Sequence, residues 1–253
     1  MTRDTYSEVD AGVWLRRFRS SGTGPARLFC FPHAGGSASF YLPFAAALAP
    51  GVEVFGIQYP GRQDRRGEPP IDDLRTLAGQ IFAALRTRLD GPFAFWGHSM
   101  GAIVAFEVAL RLLDEGLPAP LRLVVSGRRA PTEYRPHHVH GHGDEAIVAE
   151  LTMLGGTSAD LLRDPEIREM IMPAMRADYQ AIETYRYRPG PALTCPISVL
   201  NGDDDPHVRP GEAEPWAERT TGPTEFHRYA GGHFFPQDHQ AGIAGLINRR
   251  IAG

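Results

Sequence analysis

Short apolar runs alternate along the chain with longer stretches in which apolar residues recur every three or four positions. Continuously apolar runs are typical of strands that helices cover on both faces of a sheet. Five such runs predict buried strands: ARLFCF (26–31), VEVFGI (52–57), FAFW (93–96), LRLVVS (121–126) and PISVLN (196–201). A sixth run, TEFHRY (224–229), is more polar and predicts an edge strand.

The stretches between these runs have helical periodicity and predict helices at about 39–49, 72–90, 100–116 and 238–251. In the second stretch, Leu74, Leu77 and Ile81 follow spacings of three and four, which place them on one helix face. Strands that alternate with helices predict a mostly parallel sheet with right-handed crossovers. The sequence therefore predicts an α/β fold.

A long interval without a convincing strand separates the fourth and fifth buried runs. It covers about 127–195, and Ile167, Met170 and Ile171 are among its residues at helical spacing. We interpret the part at roughly 130–190, called the lid segment below, as a helical insertion over the carboxyl edge of the sheet, within a single domain that spans 1–253. A second helical layer packed on the core is the alternative that the pattern leaves open.

Composition and charge argue against a nucleic-acid-binding, secreted or membrane-spanning protein. The chain of 253 residues is 42% hydrophobic and 22% charged, with a formal net charge of −4, which disfavours nucleic-acid binding. Neither an apolar signal-peptide core nor a stretch of about 18 apolar residues is present. Cys30 and Cys195 are far apart and lack metal-ligand spacing. We expect a cytoplasmic protein that binds neither membranes nor nucleic acid.

The segment Gly97-His98-Ser99-Met100-Gly101 lies between an apolar strand and an amphipathic helix. It fits G-x-S-x-G, the nucleophile elbow, in which a serine occupies a tight strand-to-helix turn. By itself the pattern occurs often by chance, and a purely structural turn is the alternative. Its position after FAFW favours Ser99 as a catalytic nucleophile.

A nucleophilic serine needs a histidine base and a carboxylate that orients the base. In this arrangement the chain order is Ser, then Asp or Glu, then His. The loop after PISVLN carries three consecutive acids, of which Asp205, held by the following proline, is the preferred candidate and Asp203 the second choice. His233 in the GGHFF loop is the predicted base, whereas His227 and His239 are interpreted as structural or surface residues.

The loop PHAGGS (32–37) follows the first buried strand and is the candidate for half of an oxyanion hole. Such a hole combines two backbone N–H groups, for which we choose those of Met100 and Ala34. His33 in the same loop is a candidate substrate contact. The cluster His137, His138, His140 and His142 lacks the Cys or carboxylate that would complete a familiar metal site, and we predict no metal.

Several segments together resemble the type II thioesterases of polyketide and nonribosomal peptide assembly lines. They follow the family's order over nearly the whole chain: FCFPHAGGSASFY (29–41), QYPGRQDRRGEP (58–69), FWGHSMGA (95–102), SGRRAP (126–131), GDDDPHV (202–208) and GGHFF (231–235). The resemblance implies an α/β-hydrolase fold with a helical lid, and a triad of Ser99, Asp205 and His233. It also implies Met100 and Ala34 as oxyanion donors.

The resemblance further implies a stand-alone editing hydrolase that needs no cofactor. Its substrate would be an aberrant or stalled acyl group on the phosphopantetheine thiol of an acyl or peptidyl carrier protein. Carrier proteins are acidic, so Arg62, Arg65 and Arg128 are candidates to contact the carrier, with an internally paired arginine cluster as the alternative. We expect a monomer. An esterase for free small-molecule esters, an offloading thioesterase and a non-catalytic binding protein are the competing functions.

Overall fold

Seven strands form one sheet in the computed structural model, which describes residues 11–19, 26–136, 139–156 and 164–251. The strands are β1 (Leu15–Arg19), β2 (Ala26–Phe31), β3 (Val52–Ile57), β4 (Phe93–His98), β5 (Leu123–Ser126), β6 (Ile197–Gly202) and β7 (Thr224–Tyr229). Their order is β1-β3-β2-β4-β5-β6-β7, and every neighbouring pair is parallel except β1 with β3. The predicted α/β fold with a mostly parallel sheet is therefore confirmed.

The helices of the described residues flank this sheet and cover its carboxyl edge. They are α1 (Ala11–Trp14), α2 (Leu42–Ala47), α3 (Leu74–Leu85), α4 (Met100–Asp114), α5 (Asp144–Leu154), α6 (Pro165–Thr184) and α7 (Gln240–Ile251). Local chemistry sets the starts of two of them. Asp73 caps α3 by accepting from the Thr76 N–H, and Asp164 caps α6 by accepting from Glu166 and Ile167.

The six predicted strands are present, and β7 lies at the sheet edge as its polar pattern indicated. One strand, β1, was not predicted. Its sequence LRRFR carries three arginines, and charged side chains are a common feature of edge strands because they oppose pairing with other chains. Such a strand lacks the apolar run that identifies buried strands.

The buried strands are mostly apolar because each face of the sheet has its own core. On β2, Phe29 and Phe31 face the cluster that includes α3 and α4, whereas Leu28 and Cys30 face the cluster that includes α2 and α7. A strand covered on both sides has few positions for a polar side chain, and the buried Ser126 and Ser198 have hydrogen-bond partners. Cys30 and Cys195 are both buried free thiols.

Helices α5 and α6 belong to the predicted lid segment and form a third, smaller apolar cluster. Its buried members are Val139, Ile147, Leu151, Met172, Met175 and Tyr179, and Ala34 packs against it. Met153 and Met170, by contrast, are 56% and 59% exposed. The lid segment thus has a core of its own that rests on the loop after β2.

Candidate active site

Ser99 occupies the tight turn between β4 and α4. Its backbone has φ 54° and ψ −118°, a region that side-chain-bearing residues rarely adopt, at a cost of about 1–3 kcal/mol. The turn is held because the Ser99 N–H donates to the Ser126 carbonyl oxygen on the neighbouring strand, at 2.8 Å. Strain of this kind persists where the surrounding structure enforces it, as at a nucleophile elbow.

The glycines of the G-x-S-x-G motif are required by close backbone contact. A Cβ on Gly97 would lie 2.2 Å from the Gly101 carbonyl oxygen, and a Cβ on Gly101 would lie 1.9 Å from that of Phe31. Both contacts are with backbone, which cannot move aside as the end of a side chain can. Helix α4 therefore approaches β2 and β4 closely enough to place Ser99 at the carboxyl edge of the sheet.

Asp205 and His233 form a buried pair beside this turn. The two carboxylate oxygens of Asp205 lie 2.9 and 3.0 Å from His233 Nδ1, and the residues are 5% and 2% exposed. Their loops follow β6 and β7 and are in close contact, because a Cβ on Gly202 would lie 2.4 Å from the Gly232 carbonyl oxygen. The pair is held as a triad requires: a carboxylate that accepts from Nδ1 leaves Nε2 free to take a proton.

The two neighbouring acids have other environments. Asp203 is exposed and pairs with Arg228 at 2.8 Å, and Asp204 is exposed. Asp205 is the member of the three that contacts His233. The structure thus places the acid preferred from the sequence against the predicted base.

Three further histidines lie near His233, two of them in ring contact with it. The ring centroids of His98 and His207 lie 5.1 and 4.9 Å from that of His233, and His33 lies 5.9 Å from His98. Burial, assisted by the charges of His233 and Arg62, lowers the pKa of His33 to about 3. Burial also lowers the pKa of His98 well below its ordinary value. Both rings are therefore neutral at physiological pH and add no positive charge beside the base.

His207 joins the triad loop to the lid segment. Its backbone N–H donates to Asp205 Oδ1 at 2.9 Å, and its Nε2 lies 2.5 Å from Glu150 Oε1 on α5. Burial lowers the pKa of His207, although Glu150 opposes this shift. Neither residue had a signal in the sequence, because their contact depends on the position of α5.

The loop predicted to supply an oxyanion donor is fixed by a buried ion pair, which we call the loop anchor: Arg62 and Asp178. Asp178, on α6, is 1% exposed and accepts from the Gly35 N–H at 2.7 Å and from Arg62 Nη1 and Nη2 at 2.6 and 2.9 Å. Arg62 also donates to the Gly36 carbonyl oxygen at 3.2 Å. The loop that carries Ala34 is therefore tied to the lid segment.

These contacts bear on the predicted carrier contacts of the arginines. Arg62 is 7% exposed within the loop anchor; Arg65 is 6% exposed, pairs with Glu68 and stacks on Trp14. Guanidinium groups held inside the protein are not presented to a partner's surface, so their positions match the internally paired alternative. Arg128 differs, because it lines a cavity described below.

Asp178 was missed in the sequence, although one signal pointed to it. It is the acid among the apolar positions Met175, Tyr179 and Ile182 on the buried face of α6. A carboxylate on an apolar helix face is rarely buried without a partner. The partner, Arg62, lies in PGRQDR, far away in the sequence.

Replacing Asp178 with Asn is expected to destabilise the protein by about 3–5 kcal/mol, because it leaves the buried Arg62 without its counter-charge. We also expect a lower kcat, because the loop that carries Ala34 loses an anchor. Denaturant unfolding and steady-state kinetics measure the two effects. The matched control is Glu145→Gln, which removes a pair with Arg168 on the exposed side of the same lid segment. An Asp178→Asn protein as stable as this control would contradict the role of the loop anchor.

The histidine cluster singled out in the sequence lies partly outside the described residues, which exclude His137 and His138. His140 Nδ1 contacts Glu183, which also accepts the backbone N–H groups of Val139 and His140. Within the described ranges, no group of three or more His, Cys, Asp or Glu residues is placed to hold a metal ion. Over the same ranges, no helix has the length and apolar character needed to cross a bilayer.

Comparisons with known proteins agree with this geometry. The model of the thioesterase domain matches residues 26–251. The chain is 49% identical over 93% of its length to a probable cadicidin biosynthesis thioesterase from Streptomyces griseus, and spans 65% of that protein. It is 45% identical over 98% of its length to thioesterase PikA5 from Streptomyces venezuelae, and spans 89% of it.

A solved structure extends the similarity to three dimensions. The type II thioesterase BorB of the borrelidin biosynthetic cluster superposes with a TM-score of 0.88 at 50% identity, covering 94% of this chain and 98% of that one. The match of the family model covers most of the chain and includes the elbow, the acid and the base. The chain therefore belongs to the thioesterase family, the enzymes that hydrolyse thioesters.

Proposed function

We propose that this protein is a stand-alone type II thioesterase. It hydrolyses aberrant or stalled acyl groups from the phosphopantetheine thiol of acyl or peptidyl carrier proteins in polyketide or nonribosomal peptide biosynthesis. The observation that carries the catalytic part is the buried His233–Asp205 pair beside a strained Ser99. The substrate class is supported by relatives whose names place them in biosynthetic pathways, two of them in NRPS/PKS pathways.

In the first half of the reaction, His233 Nε2 takes the proton of Ser99 as Oγ attacks the thioester carbonyl carbon. Asp205 accepts from His233 Nδ1, which holds the required tautomer and stabilises the imidazolium that forms. The tetrahedral intermediate collapses, the C–S bond breaks, and the departing sulfur receives the proton from His233. An acyl-enzyme ester on Ser99 remains.

In the second half, the same histidine removes a proton from water, which attacks the ester carbonyl. The carbon–oxygen bond to Ser99 breaks, the acid is released, and Oγ regains its proton from His233. In both halves the carbonyl oxygen becomes negative, and the N–H groups of Met100 and Ala34 are the proposed donors to it. Met100 begins α4, where the first amides have no intrahelical acceptor.

The proposed organisation is one α/β-hydrolase domain over 1–253 with the lid segment at roughly 130–190 inserted in it. Contacts of the lid segment with both halves of the site support this organisation. Asp178 on α6 holds the loop after β2, and Glu150 on α5 contacts His207 beside the triad acid. An acyl chain bound beneath α5 and α6 would be sheltered from water while it is attached to Ser99.

The proposed setting is a cytoplasmic monomer that meets a carrier protein and binds neither membrane nor nucleic acid. No cofactor takes part, because the nucleophile, the base, its orienting acid and the oxyanion donors all come from the chain. The phosphopantetheine group belongs to the carrier.

Carrier proteins loaded with acetyl and with longer acyl groups test this function by intact-mass spectrometry. The wild-type enzyme is expected to restore the mass of the free-thiol carrier, and the Ser99→Ala variant to leave the loaded mass unchanged. A parallel assay with simple oxyesters distinguishes an esterase for free esters. Faster turnover of the oxyesters than of every loaded carrier would contradict the proposed substrate.

A further inference from the structure

A cavity of about 250 Å³ lies between the loop after β5, the loop after β6 and the C-terminal half of α6. Ile103, one helical turn beyond Ser99 on α4, and His207, next to His233, are among its lining residues. The cavity therefore adjoins the site on its β5–β6 side. Nothing in the proposed mechanism uses it.

The walls of this cavity carry more positive than negative charge. Four arginines line it, Arg128, Arg129, Arg135 and Arg186, against two acids, Glu133 and Glu183. Glu183 is already engaged by the N–H groups of Val139 and His140. The excess charge favours an anionic occupant.

Three of the arginines are held by protein groups. Arg129 donates to the carbonyl oxygens of Glu133 and His207, and Arg135 to those of Pro206 and His207. Arg186 donates to the Tyr134 hydroxyl and stacks on its ring. Arg135 also pairs with the carboxylate of Glu212 at 3.9 Å, and together these contacts fix the wall of the cavity.

Arg128 has no such partner within the described residues. Its Nε is buried without a hydrogen bond, and its guanidinium forms no ion pair with any described carboxylate. Burial, together with the charges of Arg129 and Arg135, lowers the pKa of Arg128 to about 9 although Tyr185 and Asp205 oppose this shift, so the group remains charged at neutral pH. A half-buried guanidinium that no carboxylate of the described residues contacts is left short of hydrogen bonds, and the oxyanion of a ligand can supply them.

We propose that this cavity is a binding subsite for an oxyanionic group of the substrate, with Arg128 as its principal donor. The proposal rests on the proposed function. A carrier-bound substrate offers such a group in two places: a free carboxylate on the acyl chain, and the phosphate of the phosphopantetheine arm. Arginine binds both through the same pair of parallel N–H donors.

Four thioesters separate these sources. Two acyl chains of equal length, one ending in a carboxylate and the other in the neutral carboxamide, are each joined to N-acetylcysteamine, which has no phosphate, and to phosphopantetheine. They are assayed with the wild type and with the variants Arg128→Gln and Arg128→Lys. Arg86→Gln, at an exposed position directly after α3, is the control for loss of one positive charge.

The Arg128→Gln variant is expected to lose about tenfold to a hundredfold in kcat/KM on the anionic substrates alone, with partial recovery in Arg128→Lys. A loss that follows the carboxylate on either thiol assigns the subsite to the acyl chain. A loss that follows phosphopantetheine with either chain assigns it to the arm. Equal rates of the variant and wild type on all four, or an equal loss on all four, would overturn the proposal.

A binding measurement separates failure of this inference from failure of the proposed function. Inorganic phosphate is expected to raise the Tm of the wild type and of Arg86→Gln, but not that of Arg128→Gln. If the wild type hydrolysed none of the thioesters, the proposed function would be refuted. The Tm shift caused by phosphate would still show whether the cavity binds an anion. Equal Tm shifts in all proteins, or none, would refute the anion subsite.

Discussion

Replacing Ser99 with Ala is expected to lower kcat on carrier-bound thioesters by about 10⁶-fold, the loss typical of removing a serine nucleophile from an intact triad. Without Oγ no acyl-enzyme forms, and the buried His233–Asp205 pair has no group to activate except water. The same variant is expected to resist labelling by a fluorophosphonate probe. Mass spectrometry of the labelled protein and single-turnover kinetics measure the two effects.

The strained backbone of Ser99 offers a matched variant that tests the fold separately from the chemistry. Glycine adopts φ 54° and ψ −118° without steric cost, so Ser99→Gly is expected to be inactive and to resist denaturant better than Ser99→Ala. If wild type and Ser99→Ala cleared loaded carriers equally fast, another residue would be the nucleophile. If the wild type resisted the probe, the non-catalytic binding protein would become the better interpretation.

Replacing Asp205 with Asn is expected to lower kcat by about 10⁴-fold while the fold is retained. The carboxylate accepts from His233 Nδ1, but an amide NH₂ donates to that nitrogen and favours the tautomer whose Nε2 carries a hydrogen. That tautomer has no lone pair for the proton of Ser99. Steady-state kinetics measure the loss, and denaturant unfolding checks the fold.

The two neighbouring acids provide controls of the same chemistry within the same loop. Asp204→Asn changes an exposed side chain, and Asp203→Asn removes a surface pair with Arg228, so both variants are expected to keep nearly the full rate. A loss in Asp203→Asn as large as in Asp205→Asn would show that the geometry of the pair does not identify the triad acid.

The sequence predicted the buried half of this protein well because its signals there are local. A strand covered on both faces is mostly apolar, and a turn as tight as that at Ser99 admits only glycine at Gly97 and Gly101. The edge strand β1 lacked such a signal, since three of its five residues are arginines and its place depends on pairing with β3.

Some residues have roles that could not be predicted from the sequence, because each role depends on contact between two distant segments. Arg62 looked like a surface cation because its partner, Asp178, is on the lid segment. His207 and Glu150 meet for the same reason. Arg128 also looked like a surface group in the sequence. Only the three-dimensional structure shows that it lines a cavity in which no described carboxylate contacts it.

The strand order has a consequence for how this enzyme folds. β5 pairs with β6 although the whole segment at 127–196 separates them, and β2 pairs with β4 across β3 and α3. Closing such large loops lowers the chain entropy before the stabilising contacts form. We therefore expect folding to be slow compared with that of a helical protein of this size. Ser99, Asp205 and His233, the proposed triad, follow β4, β6 and β7, so the proposed site is complete only when the last of these pairings has formed. A partly folded chain therefore has secondary structure but no hydrolase activity.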